Sequence, residues 1–156
     1  MRFVADDMLG RLAKWLRLLG YDVLYPAPAR DAHLLRLAQA EGRVLLTRDR
    51  GLAERCSGGK VLVKSEDPWK QLRQVIDELG LDVNRGFLTR CAVCNEPIEA
   101  VPKEDVKDFV PPYVFRTHER FARCPVCGRV YWEGSHVERM RRKLAEVLGV
   151  PWRDGP

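Results

Sequence analysis

Short apolar runs alternate with amphipathic stretches through the first half of the chain. RFVA (2–5), DVLY (22–25), VLLT (44–47) and VLVKS (61–65) are nearly continuous apolar segments, as expected for strands covered on both faces. Between them, residues 8–19, 31–41, roughly 50–56 and 68–79 carry apolar positions at helical spacing. Gly20, Gly42 and Gly80 follow three of these stretches, where a helix ends most easily in a left-handed residue. Strand–helix alternation with short links predicts an α/β fold: a parallel sheet flanked by helices. In the helix over 8–19, Leu9, Leu12, Leu16 and Leu19 share one side, and Arg11, Lys14 and Arg17 share the other. The leucines are expected to pack on the sheet. The basic stripe is a solvated face or a contact surface for a polyanion.

The pattern changes after residue 83. Residues 84–134 contain two CxxC pairs, the diproline Pro111–Pro112 and the mixed β-type runs GFLTRC, RFARC and VYW. Residues 95–115 are acidic, with five Asp or Glu against two Lys, whereas 116–143 carry eight basic residues against three Glu. A last helix is predicted over 136–148, with Ser135 and Glu138 as a capping box. The chain divides accordingly into residues 1–83 and residues 84–156.

Composition narrows the function classes. With 46% apolar residues in 156, a packed core is available. No apolar run approaches the ~20 residues needed to span a bilayer. Arg2, Asp6 and Asp7 interrupt any signal-peptide core, so a cytoplasmic protein without membrane association is expected. Net charge is +5, from 27 basic and 22 acidic residues, and twenty of the basic ones are Arg. The planar guanidinium suits phosphate, which fits a nucleic-acid partner; an arginine-favouring genome is the alternative source of the bias.

Four of the five cysteines fall in CAVC (Cys91, Cys94) and CPVC (Cys124, Cys127). In a reducing compartment this pattern reads as metal rather than disulfide. Four thiolates suit a closed tetrahedral zinc site, structural because no coordination position stays open. Gly128 after the second pair provides the positive φ that such a knuckle uses. The 29 residues between the pairs read as an insertion in the ribbon. Thiolates and Zn²⁺ together contribute −2, bringing the loaded chain nearer +3. Cys56 stands apart as a small apolar residue.

The acidic residues cluster where the strands stop. The first strand ends in Asp6–Asp7, the third in Thr47-Arg48-Asp49, the fourth in Ser65-Glu66-Asp67, and Asp31 opens the helix after the second. Sites in parallel α/β sheets lie outside the carboxyl ends of the strands. Close carboxylates repel, and a hard divalent cation such as Mg²⁺ or Mn²⁺ resolves the conflict. Two such ions support phosphodiester cleavage, with Arg11, Arg17 and Arg48 placed to meet the nucleic-acid backbone. Each acid also has a plainer role open to it: Asp7, Asp31, Asp49 and Asp67 all stand at helix starts as candidate N-caps.

The runs FVADDMLGRLAKWLRLLGYDVLY, RVLLTRDRGLAER and RCAVCN…RFARCPVCGRVYWEGSHVERM resemble, across residues 1–148, the PIN-like ribonuclease family named after the C-terminal domain of the mutator exonuclease (the Mut-seven-C type). The resemblance implies a PIN-like domain over 1–83 followed by a zinc ribbon with a terminal helix over 84–156. It implies metal-dependent RNA cleavage with Asp6, Asp31 and Asp49 as the catalytic acids, Asp7 competing with Asp6 for the first position. Cys91, Cys94, Cys124 and Cys127 match the ribbon's zinc ligands. RNA is the implied partner, with homodimer formation a further expectation from related PIN domains. His33 is read as incidental, His136 as packing near the zinc or touching phosphate, and Tyr131 and Trp132 as core residues of the ribbon or as base-stacking rings. The competing functional class is an RNA-binding ribbon protein without catalysis, and DNA as substrate is a third reading.

Overall fold

The computed structural model describes residues 1–84 and 86–149, so the expectation for the end of the ribbon unit, residues 150–156, lies outside the described residues. Four strands, β1 (Arg2–Ala5), β2 (Asp22–Leu24), β3 (Val44–Thr47) and β4 (Lys60–Leu62), form a parallel sheet in the order β2-β1-β3-β4. Helices α1 (Gly10–Leu18), α2 (Asp31–Glu41), α3 (Arg50–Arg55) and α4 (Pro68–Leu79) follow the strands in turn. This is the α/β architecture expected from the alternation. No described helix is long and apolar enough to cross a membrane.

The near-continuous apolar strands are explained by two cores, one on each face. Phe3, Ala5 and Leu46 point into one with Leu12, Leu16, Leu72 and Val75. Val4 and Leu45 point into the other with Leu34, Leu52 and Cys56. Alternate residues of one strand go to opposite faces, so a strand covered twice must be apolar throughout.

Several boundaries move from their expected places. Helix α1 begins at Gly10 rather than residue 8, because Met8 takes φ +72 and cannot be helical. The fourth strand is Lys60–Leu62, although Val63 still donates to the Thr47 carbonyl at 2.7 Å. GFLTRC is not a strand: it forms turns and a single bridge, Arg90 to Pro97. The ribbon sheet is instead β5 (Glu99–Val101), β6 (Phe121–Arg123) and β7 (Val130–Tyr131), all antiparallel. Between β5 and β6 lie a 3₁₀ segment, Lys103–Phe109, and α5 (Pro112–Thr117), which account for the long gap between the cysteine pairs. The final helix α6 spans Ser135–Leu148 and is capped by Gly134, without a side-chain cap; the Ser135 capping box is not made.

The core crosses the expected boundary at 83/84. Leu144 of α6 is fully buried among the residues of α1 and α4. Gly20, at φ +96, lies so close to the linker that a Cβ there would meet the Gly86 oxygen at 2.4 Å. Leu88 N–H also bonds the Leu18 carbonyl at 2.8 Å.

Side chains tie the two parts further. Asn95 accepts from Val23 N–H at 2.9 Å and donates to Asp22 Oδ1 at 2.7 Å. Asp22 in turn pairs with Arg43 at 2.8 Å, and Arg43 is 6% exposed. Burial alone would raise the Asp22 pKa, but hydrogen bonds from Arg43 and Asn95 prevail and hold it below the ordinary carboxylate range. A carboxylate depressed in the folded state stabilises at pH values above its unfolded pKa of ~3.9, and that contribution is lost as pH falls through the folded value. Asp22→Asn is therefore expected to cost about 2–4 kcal/mol at pH 7, below the full cost of breaking a buried pair because the Asp22 side chain keeps 25% exposure. Urea unfolding across pH should show the gap between wild type and variant closing only below the ordinary carboxylate range.

Candidate active site and metal centre

The sheet order carries a switch point. The chain leaves β1 to one side for β2 and returns to its other side for β3, so the switch point, where sites of such sheets lie, falls at the carboxyl ends of β1 and β3. The register pairs Ala5 with Leu46. The next residues, Asp6 and Thr47, are thereby brought side by side, and Asp6 N–H bonds the Leu46 carbonyl at 2.9 Å.

Thr47 is the hub of this edge. It is fully buried, its hydroxyl donates to Asp6 Oδ2 at 2.7 Å, and the same oxygen accepts from Asp49 N–H at 3.0 Å. Asp6 Oδ1 accepts from Asp7 N–H at 2.7 Å. Asp49 does cap α3, through Oδ1 and Leu52 N–H at 3.1 Å. A carboxylate offers about four lone-pair positions, so both acids keep oxygen capacity for a hard cation. Sequence reasoning passed over Thr47 although it stands inside TRD, because a threonine ending a strand is ordinary.

Asp7 is not the cap of α1, which Leu9 supplies; its Oδ1 instead accepts from Ala29 N–H at 3.3 Å, holding the loop after β2 against the first strand end. Asp31 is the first residue of α2 rather than its cap, a place taken by Arg30, and its carboxylate faces Arg55 at 3.5 Å. Asp67 caps α4 through Trp69 N–H. Among the described residues, the metal-ligating side chains that gather tightly enough to share one ion are the four cysteines. Asp6, Asp31 and Asp49 do not draw together to that degree. Between the first acids and α1 stands Met8, 85% exposed and in a backbone region long side chains rarely adopt.

The three arginines expected at the site divide. Arg11 is exposed on the first turn of α1, and Arg48 is exposed beside Asp49 with a long contact to Glu66 at 3.9 Å. Arg17 is engaged within the fold: its Nε donates to the Val23 carbonyl and its Nη1 to the Ala92 and Val93 carbonyls, at 2.9, 3.0 and 3.3 Å. It holds the first cysteine knuckle to the sheet. Burial lowers its pKa.

The cysteine site meets the test for zinc. The four Sγ atoms lie within 4.8 Å of one another, and Cys91 and Cys127 are 3.8 Å apart. A tetrahedron with Zn–S bonds of ~2.3 Å has edges of about 3.8 Å. The two knuckles share one geometry. In each, the first cysteine's N–H bonds a carbonyl five residues on, Glu96 or Arg129, and its carbonyl accepts from the residue four on, Asn95 or Gly128, each at 2.8–2.9 Å. That fourth residue takes φ +68 in Asn95 and +75 in Gly128. Asparagine tolerates the left-handed region better than most residues, so CAVCN was readable as the counterpart of CPVCG. The Tyr131 hydroxyl donates to Cys91 Sγ at 3.1 Å. Burial pushes the Cys91 thiol up, but that hydroxyl and the Cys94 and Val93 N–H groups outweigh it, leaving a pKa of about 7.

The family model described as the Mut7-C RNAse domain matches residues 1–144. The chain belongs to that family. No curated protein and no solved structure matched it. The Mut7-C match spans both the acid-bearing sheet and both cysteine knuckles, as the resemblance in the sequence implied, and it makes an RNAse domain of the fold described above.

Two outcomes are expected at the metal centre. Removal of zinc by a chelator should unfold the ribbon, seen as loss of protection at β5–β7 by hydrogen exchange. Asn95→Gly keeps the positive φ but strips the bonds to Val23 and Asp22. It should lower stability by about 1–3 kcal/mol with zinc stoichiometry unchanged, measured by urea unfolding and metal analysis.

Proposed function

We propose that the chain is a Mg²⁺- or Mn²⁺-dependent ribonuclease that hydrolyses RNA phosphodiester bonds at Asp6, Asp31 and Asp49. The observation that carries the reading is the Thr47 hydroxyl, which couples the Asp6 carboxylate to the Asp49 backbone at the switch point of a Mut7-C RNAse domain. A bound divalent cation would supply an activated water and offset the charge that builds on the leaving oxygen. The chain's residues set up that chemistry. Thr47 and Asp7 N–H orient the Asp6 carboxylate, and Leu52 N–H orients Asp49. Asp31 would complete the ligand set by giving up its exposed contact with Arg55. That pair costs little to exchange, since exposed ion pairs contribute at most ~1 kcal/mol. Arg11 and Arg48 meet the RNA backbone.

In this reading residues 1–83 carry the chemistry, and the zinc ribbon from residue 84 onward aids RNA binding. Thiolate ligands suit a reducing compartment such as the cytosol. The alternative, RNA binding without cleavage, is favoured by one observation: the three carboxylates do not converge as the thiols do. The two readings separate on turnover. With Mn²⁺ and a single-stranded RNA, Asp6→Asn and Asp49→Asn should each lower the rate by about two orders of magnitude or more. Thr47→Val, which misplaces Asp6 without removing it, should cost roughly ten- to a hundredfold. Wild-type cleavage matched by Asp6→Asn would refute the assignment.

A further inference from the structure

Beyond the acidic edge, helices α1, α4 and α6 enclose a groove of about 380 Å³ lined by Arg11, Lys14, Trp15, Asp67, Trp69 and Met140. A second groove of about 350 Å³ is lined by Lys14, Arg129, Tyr131, Trp132, His136 and Met140, against the ribbon. The two have Lys14, Leu18 and Met140 in common, so they lie side by side along the same residues and are treated together as a trench. One end is Asp67, beyond β4 at the carboxyl edge of the sheet, and the other is β7.

The trench has the chemistry of a nucleic-acid track. Arg11, Lys14 and Arg129 are exposed, and none forms an ion pair among the described residues. Asp67 is the one acid among the described lining residues, and its carboxylate caps α4. Aromatic rings line both halves. Trp15 and Trp69 pack at a 43° tilt with centroids 4.4 Å apart, and Trp132 lies edge-on to His136 at 5.9 Å. Cations spaced along a groove take phosphates, and ring faces take unpaired bases. A duplex hides its bases in the stack, beyond the reach of such rings.

We propose that this trench binds the single-stranded segment of the RNA next to the cleaved bond, with phosphates on Arg11, Lys14 and Arg129 and bases against the tryptophan walls. The proposal rests on the ribonuclease reading for its polarity, running from the acids to the ribbon. Helix α1 has nine residues and is ~13 Å long, so the trench beside it holds only a few nucleotides of a single strand. Strands that run on from the cleaved bond through the trench gain from it, and a trinucleotide gains less.

The test uses Lys14→Ala combined with Arg129→Ala in the full zinc-loaded chain, with folding checked by thermal melting and Lys14→Glu as a second variant. Binding of a fluorescent 12-nucleotide single-stranded RNA is measured without added divalent ion, at several salt concentrations. Affinity is expected to fall about tenfold, and the slope of log K against log salt to shrink by about 1.4, from ~0.7 per lost phosphate contact. The KM for cleaving the 12-mer should rise similarly, and by less for a trinucleotide. Wild-type affinity and salt slope in both variants would overturn the trench while leaving cleavage by wild type intact. Equal affinity of wild type for a matched duplex would also overturn it. A wild type that cleaves no RNA with either metal, yet loses binding in the variants, would instead sink the ribonuclease reading and leave the trench standing.

Discussion

The fold depends on how a metal-held ribbon is docked on a sheet that has its own core. Asn95 makes the joint. Its left-handed backbone closes the first cysteine knuckle, and its side chain bonds the Val23 amide and the Asp22 carboxylate. Asp22 passes the connection to the buried Arg43, which also reaches the Phe3 carbonyl in the central strand. One residue thus links zinc geometry to the edge of the parallel sheet. Arg17 braces the same knuckle from α1, across the Ala92 and Val93 carbonyls. Buried polar groups of this kind must be satisfied completely, because an unpaired member would cost more than the network contributes.

The same docking explains how a single helix face has two uses. Arg11, Lys14 and Arg17 stand on one side of α1, equivalent by periodicity. The ribbon covers only the end of the helix that holds Arg17, and burial there turns a surface cation into a backbone clamp. Arg11 and Lys14, nearer the acidic edge, remain exposed along a groove whose far wall is α6. Helix α6 belongs to the ribbon half in the sequence, yet Leu144 anchors it in the sheet's core. The groove therefore exists only because the two halves share that core.

At the acidic edge the controlling feature is register. Pairing Ala5 with Leu46 sets Asp6 against Thr47, and a slip of one residue would send Asp6 to the other face. The turn that follows holds Met8 at positive φ and outside the core, a conformation that non-glycine residues adopt at a cost. Two aspartates, a buried threonine and a strained turn are concentrated at the point where the sheet's winding changes direction.

Much of this was written in local pattern. Strand and helix types followed from the period of apolar residues, because burial on both faces demands continuous apolar strands. The zinc site followed from two CxxC pairs, because they supply the four thiolates of one closed tetrahedral site. What local pattern left open were the properties that depend on which distant segments touch. The helix starts at Asp7, Asp31 and Ser135 looked like caps, but capping is decided by backbone dihedrals that the neighbouring loops impose. Arg17 looked like Arg11 until the ribbon covered it. Thr47 gained its place only through the register of β1 against β3. Composition and periodicity determined the elements and the metal chemistry, since each is set by residues close in sequence. The tertiary structure alone decided which polar groups are shared across elements, since hydrogen-bond partners are chosen by proximity in space.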